Sequence, residues 1–224
     1  MVIAFISFLF FISAVHLSLS ARYKSGEYTA YTGEVDTRQK TAYPGVKQIV
    51  LKNLGDVTMQ VGDTASVSAS DDGCEEYSVT HQGDKLYITA TKPKAIDVRY
   101  RGQLWVTIPV GATITATYTD IFVWQKAGHN GTGFNAVLDS SRLALVQERP
   151  TMNFDSVSIQ AANHSNILLR KTNISNLNIL LRQSSIDEKK SELGSVQLNV
   201  DSSSELSLSS RNLLKAKINT TAQE

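Results

Sequence analysis

Between residues 154 and 218 the apolar positions recur at a step close to twenty. Phe154, Ile174, Leu193 and Leu213 follow one another at 20, 19 and 20 residues. Three further columns keep that step: Val157, Leu177, Val196 and Ala216; Ile159, Ile179, Leu198 and Ile218; and Ile167, Ile186 and Leu206. A fixed period of this length marks a repeat whose single unit is too small to bury its own apolar face. The second and third columns lie two residues apart, the spacing at which side chains of a strand face one way. The pattern predicts an all-β chain built as a single-stranded parallel β-helix, or β-solenoid, taken as right-handed, with about 20 residues per coil. Inward residues would stack on their equivalents in the coils above and below. Ala162-Asn163-His164-Ser165, Arg182-Gln183-Ser184-Ser185 and Asp201-Ser202-Ser203-Ser204 fall at the equivalent corner of successive coils. Small polar side chains can bond the backbone there, and Asn tolerates the left-handed region, so these stretches read as turns.

Upstream the period is less regular. Phe134 and Val137 stand 20 residues before Phe154 and Val157, but Asp139 occupies the place that Ile159 would make apolar. Residues 110–150 are therefore expected to form two or three irregular coils. Strands are expected at Thr113–Tyr118 and Arg142–Val146, and a bulging turn at Gly128–Gly133. From Val46 to Pro109 the chain offers short strands of period two: Gln48–Leu51, Asp56–Val61, Ala65–Ala69, Tyr77–Thr80, Lys85–Ala90 and Leu104–Ile108. Each should bury one face and wet the other. Pro109 has no ladder donor and should stop the last of them. If the columns were accidental, a β-sandwich is the alternative.

Residues 2–19 are almost wholly apolar, and Ser18-Leu19-Ser20-Ala21 supplies small residues where signal peptidase cleaves. The segment 1–20 thus reads as a signal peptide of an exported protein. No Lys or Arg precedes it, while Arg22 and Lys24 follow it, so the other reading is an uncleaved anchor in the inner membrane. Residues 21–45, rich in Ser, Thr, Tyr and Gly, read as a linker or an added edge segment, and residues 46–224 as the β-solenoid head with regular coils over 154–218.

Ile49-Val50-Leu51, the run Gly55–Asp63, Gly83-Asp84-Lys85-Leu86-Tyr87-Ile88 and Leu104-Trp105-Val106-Thr107-Ile108-Pro109, followed by coils rich in Ser and Asn, together resemble the auto-transporter adhesin head GIN domain family. The resemblance covers Val46 to the C-terminus. It implies a secreted or surface β-solenoid of Gram-negative bacteria, Bacteroidetes above all, with no established activity. The corners depart from the family's Ser-Gly-Ser-Gly-Asp turns, reading Asn-His-Ser, Gln-Ser-Ser and Ser-Ser-Ser instead.

Composition narrows the chemistry. The 224 residues carry a formal net charge of +1, so no global field draws the chain to nucleic acid. The single cysteine, Cys74, lies in the acidic stretch Asp71–Glu76, where neighbouring carboxylates disfavour the thiolate. It is read as an unpaired loop thiol. His16, His81, His129 and His164 are scattered, so no metal set forms, and Asp71-Asp72 with Glu75-Glu76 is read as a solvated turn. Asp155, Asp187, Glu188 and Asp201 fall at different coil positions, and Asp187-Glu188-Lys189-Lys190 reads as a solvated loop. No catalytic residue, cofactor or metal site is assigned.

The lead for binding is aromatic. Trp105, Tyr118 and Trp124 are the candidate ligand contacts: exposed, they suit a sugar face or a protein hot spot, whereas in alternating strands they would simply pack. The expected function is that of a non-catalytic, exported envelope or surface module that binds a surface glycan or protein. The alternatives are a structural periplasmic spacer and a carbohydrate-active β-helix enzyme, for which Asp139 and Arg142 would be the residues to change. Any membrane contact would run through the N-terminal segment alone.

Overall fold

The computed structural model describes residues 40–69, 77–91, 104–125, 132–146 and 151–220. All of them belong to one compact unit, Thr37–Glu224. In chain order the strands are β1 (Thr41–Tyr43), β2 (Gln48–Lys52), β3 (Asp56–Gly62), β4 (Ala65–Ala69), β5 (Tyr77–Gln82), β6 (Lys85–Ala90), β7 (Leu104–Pro109), β8 (Thr113–Thr117) and β9 (Asp120–Trp124). They continue with β10 (Thr132–Asp139), β11 (Arg142–Val146), β12 (Met152–Ala162), β13 (Asn166–Arg170), β14 (Thr172–Leu181), β15 (Ser185–Lys189), β16 (Glu192–Val200), β17 (Glu205–Ser207) and β18 (Ala216–Thr220). One short helix, α1 (Ser210–Leu213), precedes β18. The segments 1–20 and 21–39, Cys74 with its acidic neighbours, and His129 lie outside the described residues.

The strands form two nine-stranded sheets facing each other across one core. In sheet A the order is β1-β4-β7-β3-β9-β11-β13-β15-β17, and in sheet B it is β18-β16-β14-β12-β10-β8-β2-β6-β5. From β6 and β7 onward every neighbouring pair along the stack is parallel, which makes a β-solenoid of stacked coils averaging about 22 residues each. The three inner columns read from the sequence hold as ladder registers. Val157, Leu177, Val196 and Ala216 pair in succession, as do Ile159, Ile179, Leu198 and Ile218, and Ile167, Ile186 and Leu206. The remaining column holds from Phe154 through Ile174 to Leu193 and then fails. Leu213 lies in α1 and is 47% exposed, and Asn212 is buried in its stead. There the Asn212 side chain accepts from Leu193 N and donates to Ser191 O, closing the backbone of the last coil as a strand neighbour would.

In the middle of the stack the step is longer than twenty. Phe134 pairs with Val157 and Ala136 with Ile159, so Asp139 faces outward beside Ala162 and never meets the Ile159 column. The cause is loop length: residues 147–151 separate β11 from β12, whereas Lys171 alone separates β13 from β14. The Phe134 and Phe154 rings still meet edge-on, with centroids 5.6 Å apart. Residues 110–146 form two coils, β8–β9 and β10–β11, and Thr132-Gly133 opens β10 and is not part of a turn. Gly133 must be glycine for a reason of space, since a Cβ there would sit 2.5 Å from the Ser156 carbonyl oxygen.

Upstream, two expectations change. The strands of 46–109 belong to the same two sheets, but not in chain order. The coil β2–β3 lies between β6–β7 on one side and β8–β9 on the other. After β7 the chain turns at Pro109–Ala112, with Gly111 at φ +75°, and passes β2–β3 to continue the stack beyond it. Strand β4 is buried on both faces, so the one-face-wet pattern does not apply to it. The antiparallel strands β1, β4 and β5 finish this end of the two sheets.

The corner residues act as a ladder of buried hydroxyls. Thr119 Oγ1 accepts from Leu54 N, Ser141 Oγ from Thr119 N, Ser165 Oγ from Ser141 N, and Ser204 Oγ from Ser184 N. Thr119, Ser141 and Ser165 also donate to a carbonyl two or three residues back on their own coil. The turn conformations are left-handed, as at Asn53, Ser140, Asn163, His164 and Gln183. Ser141→Ala orphans the buried Thr119 amide and should lower stability by about 1–3 kcal/mol in urea unfolding. Ser141→Thr, which copies the residue of the preceding coil, should stay close to wild type.

Candidate binding face

Sheet A turns alternate residues inward to the core and outward. On β9, Ile121 and Val123 are buried while Asp120, Phe122 and Trp124 are half-buried and outward, and on β7 Leu104 and Val106 point in while Trp105 points out. Parallel register then sets these side chains in rows that cross the sheet. One outward row runs Ser68, Trp105, Thr58, Phe122, Ala144 and Leu168. The next runs Ala42, Ser66, Thr107, Gln60 and Trp124. Neighbouring strands lie about 4.8 Å apart, so Trp105 and Trp124, on strands flanking β3, are roughly 10–12 Å apart on one face. Arg142 holds its guanidinium over the Phe122 ring, 5.7 Å from the centroid, which fixes the ring and keeps a cation at its rim. Two of the three aromatic candidates are thus brought together, and they do not pack into the core. Phe122, an aromatic of the same stretch, joins them on this face. Its signal was the alternation Ile121-Phe122-Val123-Trp124, which puts Phe122 and Trp124 on one side.

Tyr118 lies elsewhere. It occupies the corner between β8 and β9 with φ +49° and 62% of its surface exposed. Equivalent corners carry Asn53, Ser140 and Gln183 in the same conformation. An aromatic residue in this conformation is uncommon, and its amide is held by Asp139 O.

Three of the four charged candidates, Asp187, Glu188 and Asp201, are tied into the fold by hydrogen bonds. Asp187 pairs with Arg170, whose guanidinium hydrogen bond and charge hold the carboxyl below its ordinary value, and Lys189 adds a longer contact at 3.6 Å. Asp201 accepts from Ser203, Ser204 and Gln183 N at its corner, and the Ser204 hydroxyl leads in holding its carboxyl low. Asp155 is exposed on β12. The solvated-loop reading of 187–190 is overturned: Asp187–Lys189 belongs to β15, and Glu188 points inward at 2% exposure. It stands in the inner column of Val123, Leu145 and Leu169. A carboxylate is possible there because the last coil supplies donors. Ser191 N donates to Oε1, and Ser209 N and Oγ donate to Oε2. Burial pushes Glu188 upward, but the hydrogen bonds from Asn212, Ser209 and Ser191 outweigh it and hold the carboxyl below its ordinary value. His81 meets the Tyr43 ring edge-on, and His164 sits in a corner. Among the described residues no group of three His, Cys, Asp or Glu side chains could hold a metal ion. Among the same residues no helix is long and apolar enough to cross a membrane.

No family model and no curated protein matches the chain. Solved structures do. The crystal structure of a "putative adhesin" from Parabacteroides distasonis aligns over 82% of this chain and 76% of that one, with a TM-score of 0.54 and 12% identity. A "putative adhesin" from Bacteroides fragilis covers 82% of this chain and 95% of its own, with a TM-score of 0.44 and 11% identity. A "putative cell adhesion protein" from Clostridium sporogenes covers 83% and 98%, with a TM-score of 0.29 and 7% identity. At 12% identity the first likeness is one of fold.

Proposed function

We propose that the chain is an exported, non-catalytic binding module of the cell envelope or surface, and that the outer face of sheet A is its contact surface. The observation that carries this reading is the outward aromatic group Trp105, Phe122 and Trp124 on a rigid parallel sheet. Large aromatic side chains that are half-buried but turned outward together on a stiff scaffold supply contact area at little cost in ordering. Tyr118, held exposed in a conformation uncommon for its type, adds a contact at the adjoining corner. The adhesin-like fold of the Parabacteroides protein and the resemblance of Val46–Pro109 to the GIN domain family support the same reading, as does the apolar segment 1–20 as an export signal. The ligand is a surface glycan or protein, and the head comprises residues 46–224 together with β1, the edge strand of sheet A.

The test is retention of the full chain on a printed glycan array and from envelope extracts, beside the double variant Trp105→Ala/Trp124→Ala. Both side chains are outward, so circular dichroism and the melting temperature should move little while retention falls by about tenfold or more, the usual weight of aromatic anchors. Equal retention by the two proteins would remove this face from consideration.

A further inference from the structure

The second outward row ends in a cavity. An open hollow of about 420 Å³ lies over the sheet between β1 and β3, one strand short of Trp124, lined by Lys40, Gln60, Asp63, Thr64, Ser66 and Thr107 among others. Ser66 and Thr107, 3% and 8% exposed, form its floor. The Gln60 amide is fixed by donation to Thr107 Oγ1 at 3.1 Å, so the floor is organised before any ligand arrives. Gly62 keeps the space open, since a Cβ there would come 2.8 Å from Thr107 Cγ2.

We propose that this hollow is a saccharide subsite. It takes one pyranose unit of a glycan, and the adjoining unit lies against Trp124. The assignment rests on the reading of sheet A's outer face as the contact surface and deepens it. The chemistry of the lining selects the ligand. Three hydroxyls, one primary amide, one ammonium and one carboxylate offer donors and acceptors in mixed order with no excess charge, which matches the vicinal hydroxyls of a neutral sugar better than an anion or a cation. An apolar peptide side chain would offer no hydrogen bond to the polar groups of the lining beyond the Gln60–Thr107 pair. Register places Trp124 directly beside Gln60, one strand further from the hollow, so a chain leaving the cavity along the row meets the indole face at the next strand spacing. Indole stacking on the apolar face of a sugar and hydrogen bonds at its rim are complementary parts of one site.

The chain contains two tryptophans, and both lie on this face, so fluorescence reads the site directly. In full-length Trp105→Phe, Trp124 is the sole tryptophan. It is titrated with D-glucose, D-galactose, D-mannose, N-acetyl-D-glucosamine, cellotriose and chitotriose, and with any further oligosaccharide retained on the array. A saturable change in Trp124 emission is expected with at least one of them. Ala42→Phe, which fills the hollow from its exposed rim, and Gln60→Ala, which removes the fixed amide, should each raise Kd by about tenfold, the worth of one or two good hydrogen bonds. Circular dichroism and melting temperature should be unchanged in both. Saccharide binding that Trp124→Ala abolishes but Ala42→Phe and Gln60→Ala leave intact would overturn the subsite and keep the face. Retention of an envelope protein without any sugar would overturn the saccharide while keeping the face. No retention of any kind would remove both.

Discussion

Ile179→Ala is expected to cost about 2–5 kcal/mol, the range for truncating a fully buried aliphatic side chain, while Ile218→Ala costs roughly 0.5 kcal/mol or less. The two residues belong to one column, two coils apart. Ile179 is fully buried with a coil on either side, whereas Ile218 closes the stack and is 43% exposed. In a solenoid each coil contacts only its neighbours, so the loss follows position in the stack and not residue type. Urea unfolding of the two variants checks this. Equal losses would contradict the open end at β18.

Glu188→Ala is expected to release the C-terminal coil. It leaves the Ser191 and Ser209 amides without their acceptor, at a cost of roughly 2–4 kcal/mol for one buried and one half-buried donor. The loss should be local, so hydrogen exchange should quicken across β16, β17 and β18 before it does in β12 or β13. The same carboxylate makes this coil sensitive to acid. An ordinary Glu carboxyl titrates near 4.5, and that of Glu188 is lower in the folded chain. A depressed folded value means that the stabilisation is present in full above the unfolded pKa and fades as pH falls through the folded one. The exchange protection of β17 should therefore drop below about pH 4.5 in the wild type. Asp187 and Asp201, both held low nearby, add to that dependence, so Glu188→Gln should shrink it without abolishing it. An unchanged acid profile in Glu188→Gln would mean that those two carry the effect.

Glu188 also shows where reading along the chain falls short. Asp187-Glu188-Lys189-Lys190 is as polar a run as any loop, and nothing local distinguishes the position that faces inward. Only the parallel register with Leu169 does so, together with the Ser209 turn twenty-one residues on that supplies the donors. Asn212 is the same case. Leu213 fits the apolar column by spacing, but α1 turns it outward and buries the neighbouring amide.

The aromatic face was half legible. Alternation in Leu104–Ile108 and Ile121–Trp124 puts Trp105 and Trp124 opposite the aliphatic residues, which is all that period two can say. That they share one face follows from β3 pairing with both β7 and β9, a contact between segments more than forty residues apart in the chain. The cavity has no signature in the sequence at all, because its lining comes from β1, β3, β4 and β7 and the residues that flank them, Lys40, Asp63 and Thr64.

The sequence by itself determined the solenoid of residues 154–218. A coil there is short and nearly constant in length, so inward positions recur at a step that can be counted, and small polar residues mark each corner. Tertiary structure alone decided the rest: the longer coils before residue 154, the insertion of β2–β3 between β6–β7 and β8–β9, and the outward rows that bring Trp105, Phe122 and Trp124 together. Variable loops erase the period, and strand pairing depends on which sheet edge a segment can meet in three dimensions. The choice of neighbour is thus a property of the assembled sheet, with no trace in local pattern.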